Sequence, residues 1–491
     1  MSSNAEELAS GIPTSGTAPK LTGNLGVRDL VMSVLAYNAP LGVMAGYVPL
    51  VIGLGNGVGA PLIFIVVGAL LTVFAVGLTA MARYMKRPGA FYAYIAAGIG
   101  RPAGLGGAFA AFAGYMAINI SSSVLVGIVS KPLVEGLLHG PELPWWVWSI
   151  LVWIVASGFS LLKLDFSAKV LGIALAAEIL LVLTWSTVVF INGGPSGIPS
   201  PQSMAESFTS GSLSFALLFG ALTITGFEAV AVFREETKNP VKTVPRATYA
   251  SVIALALLYC VGSLAYLTAL GPEDAIAVGA TNPTGGFTQS VSQYVGFVAG
   301  DLVTVLLVTS GFASVLATQN IAARYLYTLG GDGVLSRRLG RVHPRFGSPF
   351  TASRVVAILS IVGFGGAAIL GVDPVRVYAS LASFGGVCLI ALMVGTALSV
   401  LLFFRRDAEH EATFMQSVVS PSFAFIGLGA ILFLAVTNMD TIIGGTPAEG
   451  VMAVLVGAAV IAAGVILALV LRTRNPAIYN RIGRQDITGG P

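Results

Sequence analysis

Apolar residues run through this chain in blocks of about twenty, the length that carries an α-helix across a hydrocarbon core roughly 30 Å thick. Twelve such blocks occupy residues 29–54, 59–82, 104–130, 145–162, 168–191, 212–233, 248–270, 294–320, 351–371, 377–404, 419–437 and 450–471. Turn-forming clusters punctuate them, among them Gly193-Gly194-Pro195, Gly271-Pro272, Asn282-Pro283 and Gly444-Gly445-Thr446-Pro447. The pattern predicts an all-α integral membrane protein of twelve transmembrane helices.

Three blocks carry polar groups where lipid should exclude them. The first contains Asn38, Pro40 and Gly42 within one apolar span. Proline removes a backbone donor and disturbs the preceding turn, so a break is expected across Ala39–Gly42, with a plain proline kink as the alternative. The sixth block turns small and polar at Thr223, Thr225 and Gly226, then places Glu228 before further apolar residues. Glycine weakens the helix there, and an intramembrane carboxylate is costly enough to suggest a function. A helix broken at mid-membrane beside an ionisable group is a transporter feature. A kinked helix with a neutral, hydrogen-bonded Glu228 would read the same way.

The fifth block holds Glu178. Counted from its cytoplasmic mouth it lies about eleven residues in, or roughly 16 Å at 1.5 Å per residue, close to mid-membrane. A charged carboxylate is penalised at that depth, and taking up a proton relieves the penalty. Glu178 is therefore a candidate for reversible protonation, or else a permanently neutral group bonded to a neighbouring helix.

Composition agrees with a membrane protein: 55% of residues are hydrophobic, only 10% are charged, and 60 glycines suit close helix packing in lipid. Both cysteines, Cys260 and Cys388, fall in apolar blocks, so neither a disulfide framework nor a metal cluster is implied. With the N-terminus inside, all but two of the 26 basic residues (Lys131 and Arg376) face the cytoplasm. Both termini are thus expected to be cytoplasmic, and the net charge of +4 reflects topology rather than affinity for nucleic acid. Residues 1–25 lack an apolar signal-peptide core and read as a disordered cytoplasmic tail.

Gly226-Phe227-Glu228-Ala229, then Glu235-Glu236-Thr237-Lys238-Asn239-Pro240 and Pro245-Arg246-Ala247, resemble the sixth helix and following loop of the amino acid–polyamine–organocation (APC) superfamily. Pro88-Gly89-Ala90-Phe91-Tyr92-Ala93-Tyr94 resembles its loop after helix two, with Ala90 in place of a second glycine. Ala323-Arg324-Tyr325-Leu326-Tyr327, Gly331-Asp332-Gly333 and His343-Pro344 resemble the loop after helix eight. The likeness covers 26–472. It departs from the family at the first break, where Pro40-Leu41-Gly42 replaces a glycine-rich stretch.

The resemblance implies a 5+5 inverted-repeat core with helices one and six broken, and two further helices at the C-terminal end. Its halves would occupy 26–191 and 192–404, with the last two helices at 405–472 and a cytoplasmic tail at 473–491. It also implies a secondary transporter of the plasma membrane that imports amino acids by alternating access. The substrate carboxylate would meet backbone amides at the first break, among Ala39, Pro40, Leu41 and Gly42, where Pro40 shapes the chain and donates nothing. The ammonium would meet carbonyls at the second break, among Leu222, Thr223, Ile224 and Gly226, with Phe227 helping to close the site. Asn119 aligns with a substrate-facing position of some members, and Glu178 and Glu228 would carry protons. Ser310, Ser314 and Thr318 recur four residues apart, so they share one helix face that either borders a cavity or packs.

A putrescine permease, with both glutamates facing a dication, is the first alternative. An amino acid exchanger and a non-transporting sensor follow. No nucleotide-binding loop, metal-binding spacing or nucleophile turn appears in the sequence, and His139, His343 and His410 all fall in loops. Neither enzymatic activity nor a cofactor or metal is expected.

Overall fold

Every regular element of the computed structural model is a helix among the residues it describes, which are 26–85, 91–162, 168–227, 230, 237–344, 346–406 and 411–483. The tail expected at 1–25 lies outside the described residues, as do parts of the loop motifs at 86–90, 228–229 and 231–236.

The first apolar block forms two helices, α1 (Val27–Asn38) and α2 (Pro40–Leu50), separated by Ala39 alone. Ala39 has φ 50° and ψ 67°, the left-handed region. The physical cause is its neighbour: a residue before proline is pushed out of the right-handed helical region, while proline itself suits the first helical position. The break is narrower than Ala39–Gly42, because Pro40, Leu41 and Gly42 already belong to α2. Beyond α2 the chain bends back through Gly55 and Gly57, whose φ of 58° suits a glycine, into α3 (Ala60–Ala82).

A short helix, α4 (Phe91–Gly98), leads into the long α5 (Arg101–Lys131), then α6 (Trp145–Leu162) and α7 (Ala168–Asn192). Helix α8 (Leu213–Ile224) is only 12 residues long. At 1.5 Å per residue it spans about 18 Å, little more than half a hydrocarbon core. Thr225 then turns extended and Gly226 takes φ 102°, so the second interruption also falls inside an apolar run.

The remaining long helices are α9 (Pro240–Leu270), α12 (Phe297–Gly331), α13 (Phe350–Ile369), α14 (Pro374–Arg406), α15 (Ser420–Thr437) and α16 (Pro447–Arg474). Between α9 and α12 lie two shorter ones, α10 (Pro272–Thr281) and α11 (Pro283–Tyr294). Ten helical segments of the described residues are long and apolar enough to cross a membrane. The sequence pattern counts twelve. The difference arises because the first two blocks run together over Pro40–Ala82, with only the bend at Gly55 and Gly57 between α2 and α3, and because α8 is too short by itself.

Helix α5 lies at the centre, packed against α12, α14 and α16. Small residues permit this closeness: a Cβ on Gly114 would come within 2.9 Å of the Cys388 Cβ, and one on Gly464 within 2.7 Å of the Leu105 carbonyl oxygen. Outward faces stay apolar, as with Ile173, Leu180 and Ile191 on α7, which suits lipid rather than water. The α10–α11 pair presses on the end of α2 and is tied to α7, where Trp185 Nε1 donates to Ser290 Oγ at 3.1 Å. After α16 a last short helix, α17 (Pro476–Tyr479), folds back on the bundle. There the Arg101 guanidinium lies 5.2 Å from the Tyr479 ring centre and Ile482 is buried.

Candidate functional site

The two interrupted helices meet. Asn38, the last residue of α1, donates from Nδ2 to the Thr225 carbonyl at 2.7 Å and accepts at Oδ1 from the Tyr259 hydroxyl at 3.1 Å. One side chain thus joins the first break, the second break and α9. The chemistry follows from the interruptions, since a helix end buried in an apolar bundle must find partners for its carbonyls. Hydroxyls complete the C-terminal end of α8: Thr223 Oγ1 donates to the Gly220 carbonyl and Thr225 Oγ1 to that of Leu222, each at 2.7 Å.

At the start of α2, Pro40 carries no N–H, so the first amide the helix offers is that of Leu41. This amide donates to Glu178 Oε2 at 3.2 Å, and Ser310 Oγ donates to the same oxygen at 3.4 Å. Glu178 is 4% exposed. Its carboxyl caps the positive end of a half-helix and links α7 to α2 and α12. Regular helical bonding resumes only at Val43, whose N–H reaches the Ala39 carbonyl at 3.1 Å. Gly42, the next residue, lines a cavity.

That cavity opens between α2, α5 and α12, with Thr284 of α11 at its edge. Asn38, Ala39, Gly42 and Tyr47 form one wall, Ser122 and Leu125 a second, Ser310 and Ser314 a third. The Ser122 and Ser314 hydroxyls lie 3.1 Å apart. The rest of the lining is apolar, including Val43, Val129 and Leu307, and among the described residues no charged side chain forms part of the wall. Glu178 stands behind Ser310.

The residues singled out in the sequence divide by position. Ala39 and Gly42 line the cavity, while Pro40 and Leu41 are buried behind it. Asn119 lies elsewhere. Its Nδ2 donates to the Val315 carbonyl and to Thr318 Oγ1, both at 2.9 Å, and its Oδ1 accepts from Ser360 Oγ, so it fastens α5 to α12 and α13. The hydroxyl stripe of α12 is accordingly split: Ser310 and Ser314 face the cavity and Thr318 serves packing. Leu222 lies beside Gly386 of α14, Thr223 and Ile224 are buried, and Phe227 packs edge-on against Phe74 of α3, with ring centres 6.2 Å apart. Gly226 supplies the turn of the second break. Glu228 lies outside the described residues. The pattern gives no sign of Tyr259 or Tyr47, since a tyrosine in an apolar run shows nothing of a partner 221 positions away.

A family model described as amino acid permease matches residues 30–473. The branched-chain amino acid permease BcaP of Lactococcus lactis is 32% identical over 210 residues, which is 42% of this chain and 42% of that relative. The lysine-specific permease LysP of the same organism is 23% identical over 363 residues, 71% of this chain and 69% of LysP. Cationic amino acid transporter 6 of Arabidopsis thaliana, a chloroplastic protein, is 26% identical over 329 residues, 64% of this chain and 51% of the relative. Among solved structures, a manganese transporter of Eremococcus coleocola in complex with an aromatic bis-isothiourea compound superposes with a TM-score of 0.57. At 13% identity, covering 95% of this chain and 100% of that one, this likeness concerns the fold alone.

Proposed function

This chain belongs to the amino acid permease family of the APC superfamily, and from that premise we propose that it is a secondary transporter importing neutral amino acids with protons across the cell membrane. The observation that carries the reading is the meeting of two helix breaks at the Asn38–Thr225 bond, beside a cavity and a buried carboxyl. Broken helices that expose backbone groups at mid-membrane bind zwitterions through amides at one break and carbonyls at the other. In this reading α1–α2 and α8 are the interrupted helices of two inverted halves of a twelve-span carrier with both termini in the cytoplasm.

Two features support a neutral substrate. The cavity wall combines hydroxyls with Val43, Leu125, Val129 and Leu307, and among the described residues it holds no charged group that would pair with an ionic side chain. The branched-chain permease among the relatives has the same implication. Glu178 is the proton carrier of this proposal: it is buried, bonded to the first break and backed by Ser310 of α12.

The test is uptake into proteoliposomes of labelled leucine, alanine, lysine, glutamate and putrescine, each with and without an inward proton gradient. Leucine accumulation that rises with the gradient, and that Glu178→Gln abolishes while leaving leucine exchange intact, is the expected result. Gradient-driven accumulation persisting in Glu178→Gln removes Glu178 from the coupling role. Putrescine uptake alone would establish a polyamine permease, and gradient-independent uptake that needs internal substrate would establish an exchanger.

A further inference from the structure

The first break offers few donors. Pro40 has none, Leu41 gives its N–H to Glu178, and Gly42 faces the cavity. A substrate carboxylate docking at the start of α2 therefore finds the Leu41 amide already held by a carboxyl of the protein itself. Resting on the transport reading above, we propose that Glu178 and the substrate carboxylate compete for the Leu41 amide, so that an amino acid binds only with Glu178 displaced and neutral.

The argument is electrostatic. Two carboxylates within a few ångströms of each other in an apolar bundle do not both stay ionised, because each raises the cost of charging the other. No buried cation among the described residues compensates them. Among the described residues of the elements packed on α7, Tyr259 of α9 is buried and gives its hydroxyl proton to Asn38 Oδ1. Tyr47 of α2 lines the cavity and Cys260 of α9 is half-buried, but neither carries positive charge. Arg28 and Asp29 of α1, Lys242 and Arg246 of α9, and Asp301 and Arg324 of α12 are exposed near their helix ends, and Tyr294 of α11 donates to the Ala269 carbonyl.

An arriving carboxylate supplies the acceptor that Leu41 needs. Glu178 gives up the amide, takes one proton and keeps a bond to Ser310, whose hydroxyl serves as donor to a carboxylate or acceptor from a carboxylic acid. When the substrate leaves toward the cytoplasm, Glu178 releases that proton and returns to Leu41. One proton thus travels with each substrate, and the Leu41 amide always has a carboxylate to accept its bond. A substrate without a carboxylate does not trigger the exchange.

The experiment measures equilibrium binding to the purified full-length protein in nanodiscs, using leucine and isoamylamine, which is leucine without its carboxylate. Above the pH at which Glu178 ionises, leucine affinity is expected to fall about tenfold per pH unit, one proton being required for each ligand bound. Isoamylamine affinity should stay flat over the same range. Glu178→Gln should make leucine binding independent of pH. Glu178→Asp, which keeps the acid but shortens it by one methylene, should bind leucine more tightly than the parent at neutral pH because its carboxyl withdraws from Leu41. Leucine binding that is flat with pH in the parent protein overturns the competition while leaving the transport reading standing. The same slope for isoamylamine also overturns it. Leucine that binds at no pH counts against the transport reading itself, and the competition falls with it.

Discussion

Two buried asparagines show why residue identity alone does not assign a role. Asn38 bonds across both helix breaks, from α1 to Thr225 and to Tyr259. Asn119 bonds to Val315, Thr318 and Ser360, in the seam of three intact helices. Replacing either with alanine strands buried partners, at a cost of about 1–3 kcal/mol for each group left unsatisfied. Both Asn38→Ala and Asn119→Ala should lower the thermal unfolding midpoint in detergent. Uptake by the protein that remains folded should separate them: Asn38→Ala raises the substrate KM, and Asn119→Ala leaves KM and substrate ranking unchanged. A changed ranking in Asn119→Ala would return that residue to the binding site.

At the scale of elements, the first break is a local conflict resolved by one residue. Pro40 disfavours the right-handed helical region for Ala39, which sits at φ 50°, and an L-residue in the left-handed region costs roughly 1–2 kcal/mol. Ala39→Gly should relieve about 1 kcal/mol of that cost and raise the unfolding midpoint, with the break preserved. Pro40→Ala should act in the opposite direction on function. It restores an N–H and lets the helix run through, which removes the free end that Glu178 caps, so transport should fall well below the parent's. Rising uptake in Pro40→Ala would show that the break is dispensable. Breaks of this kind are legible in sequence because proline and glycine act on their nearest neighbours. The exact residue that absorbs the distortion was not legible, since the expected break extended to Gly42 and α2 begins at Pro40.

Across the whole molecule, the C-terminal segment fastens elements far apart in sequence. Arg101 of α5 lies over the Tyr479 ring and donates to Asn480 Oδ1 at 2.9 Å, while Ile478 rests beside Gly333, just past α12. Ile482 is 2% exposed and Gly483 lies beside Ala96 of α4. Within the segment expected as a cytoplasmic tail at 473–491, residues as far as 483 pack against α4, α5 and the turn after α12. Truncation after Arg474 removes at least one fully buried isoleucine, a contribution of about 1.5–3 kcal/mol. Its expected outcome is a lower unfolding midpoint, with Arg101→Ala giving a smaller decrease of the same sign. An unchanged midpoint after truncation would mean that the segment does not hold the bundle.

Sequence alone determined what depends on composition and near neighbours. Blocks of apolar residues mark the helices, because lipid accepts no unpaired backbone and each block satisfies its own hydrogen bonds. Pro40 and Gly226 mark the interruptions, and Glu178 stands out because a carboxylate in an apolar helix is costly wherever it points. Tertiary structure decided which groups meet. The Leu41–Glu178 bond spans 137 positions and the Asn38–Thr225 bond 187, distances over which helix periodicity carries no information. Whether a hydroxyl on α12 faced a cavity or a neighbour, and whether an asparagine joined two breaks or three intact helices, depended on how the helices rotate and cross. Rotation and crossing are set by packing across the whole bundle, above all by the small residues around α5, and only the folded chain brings them together.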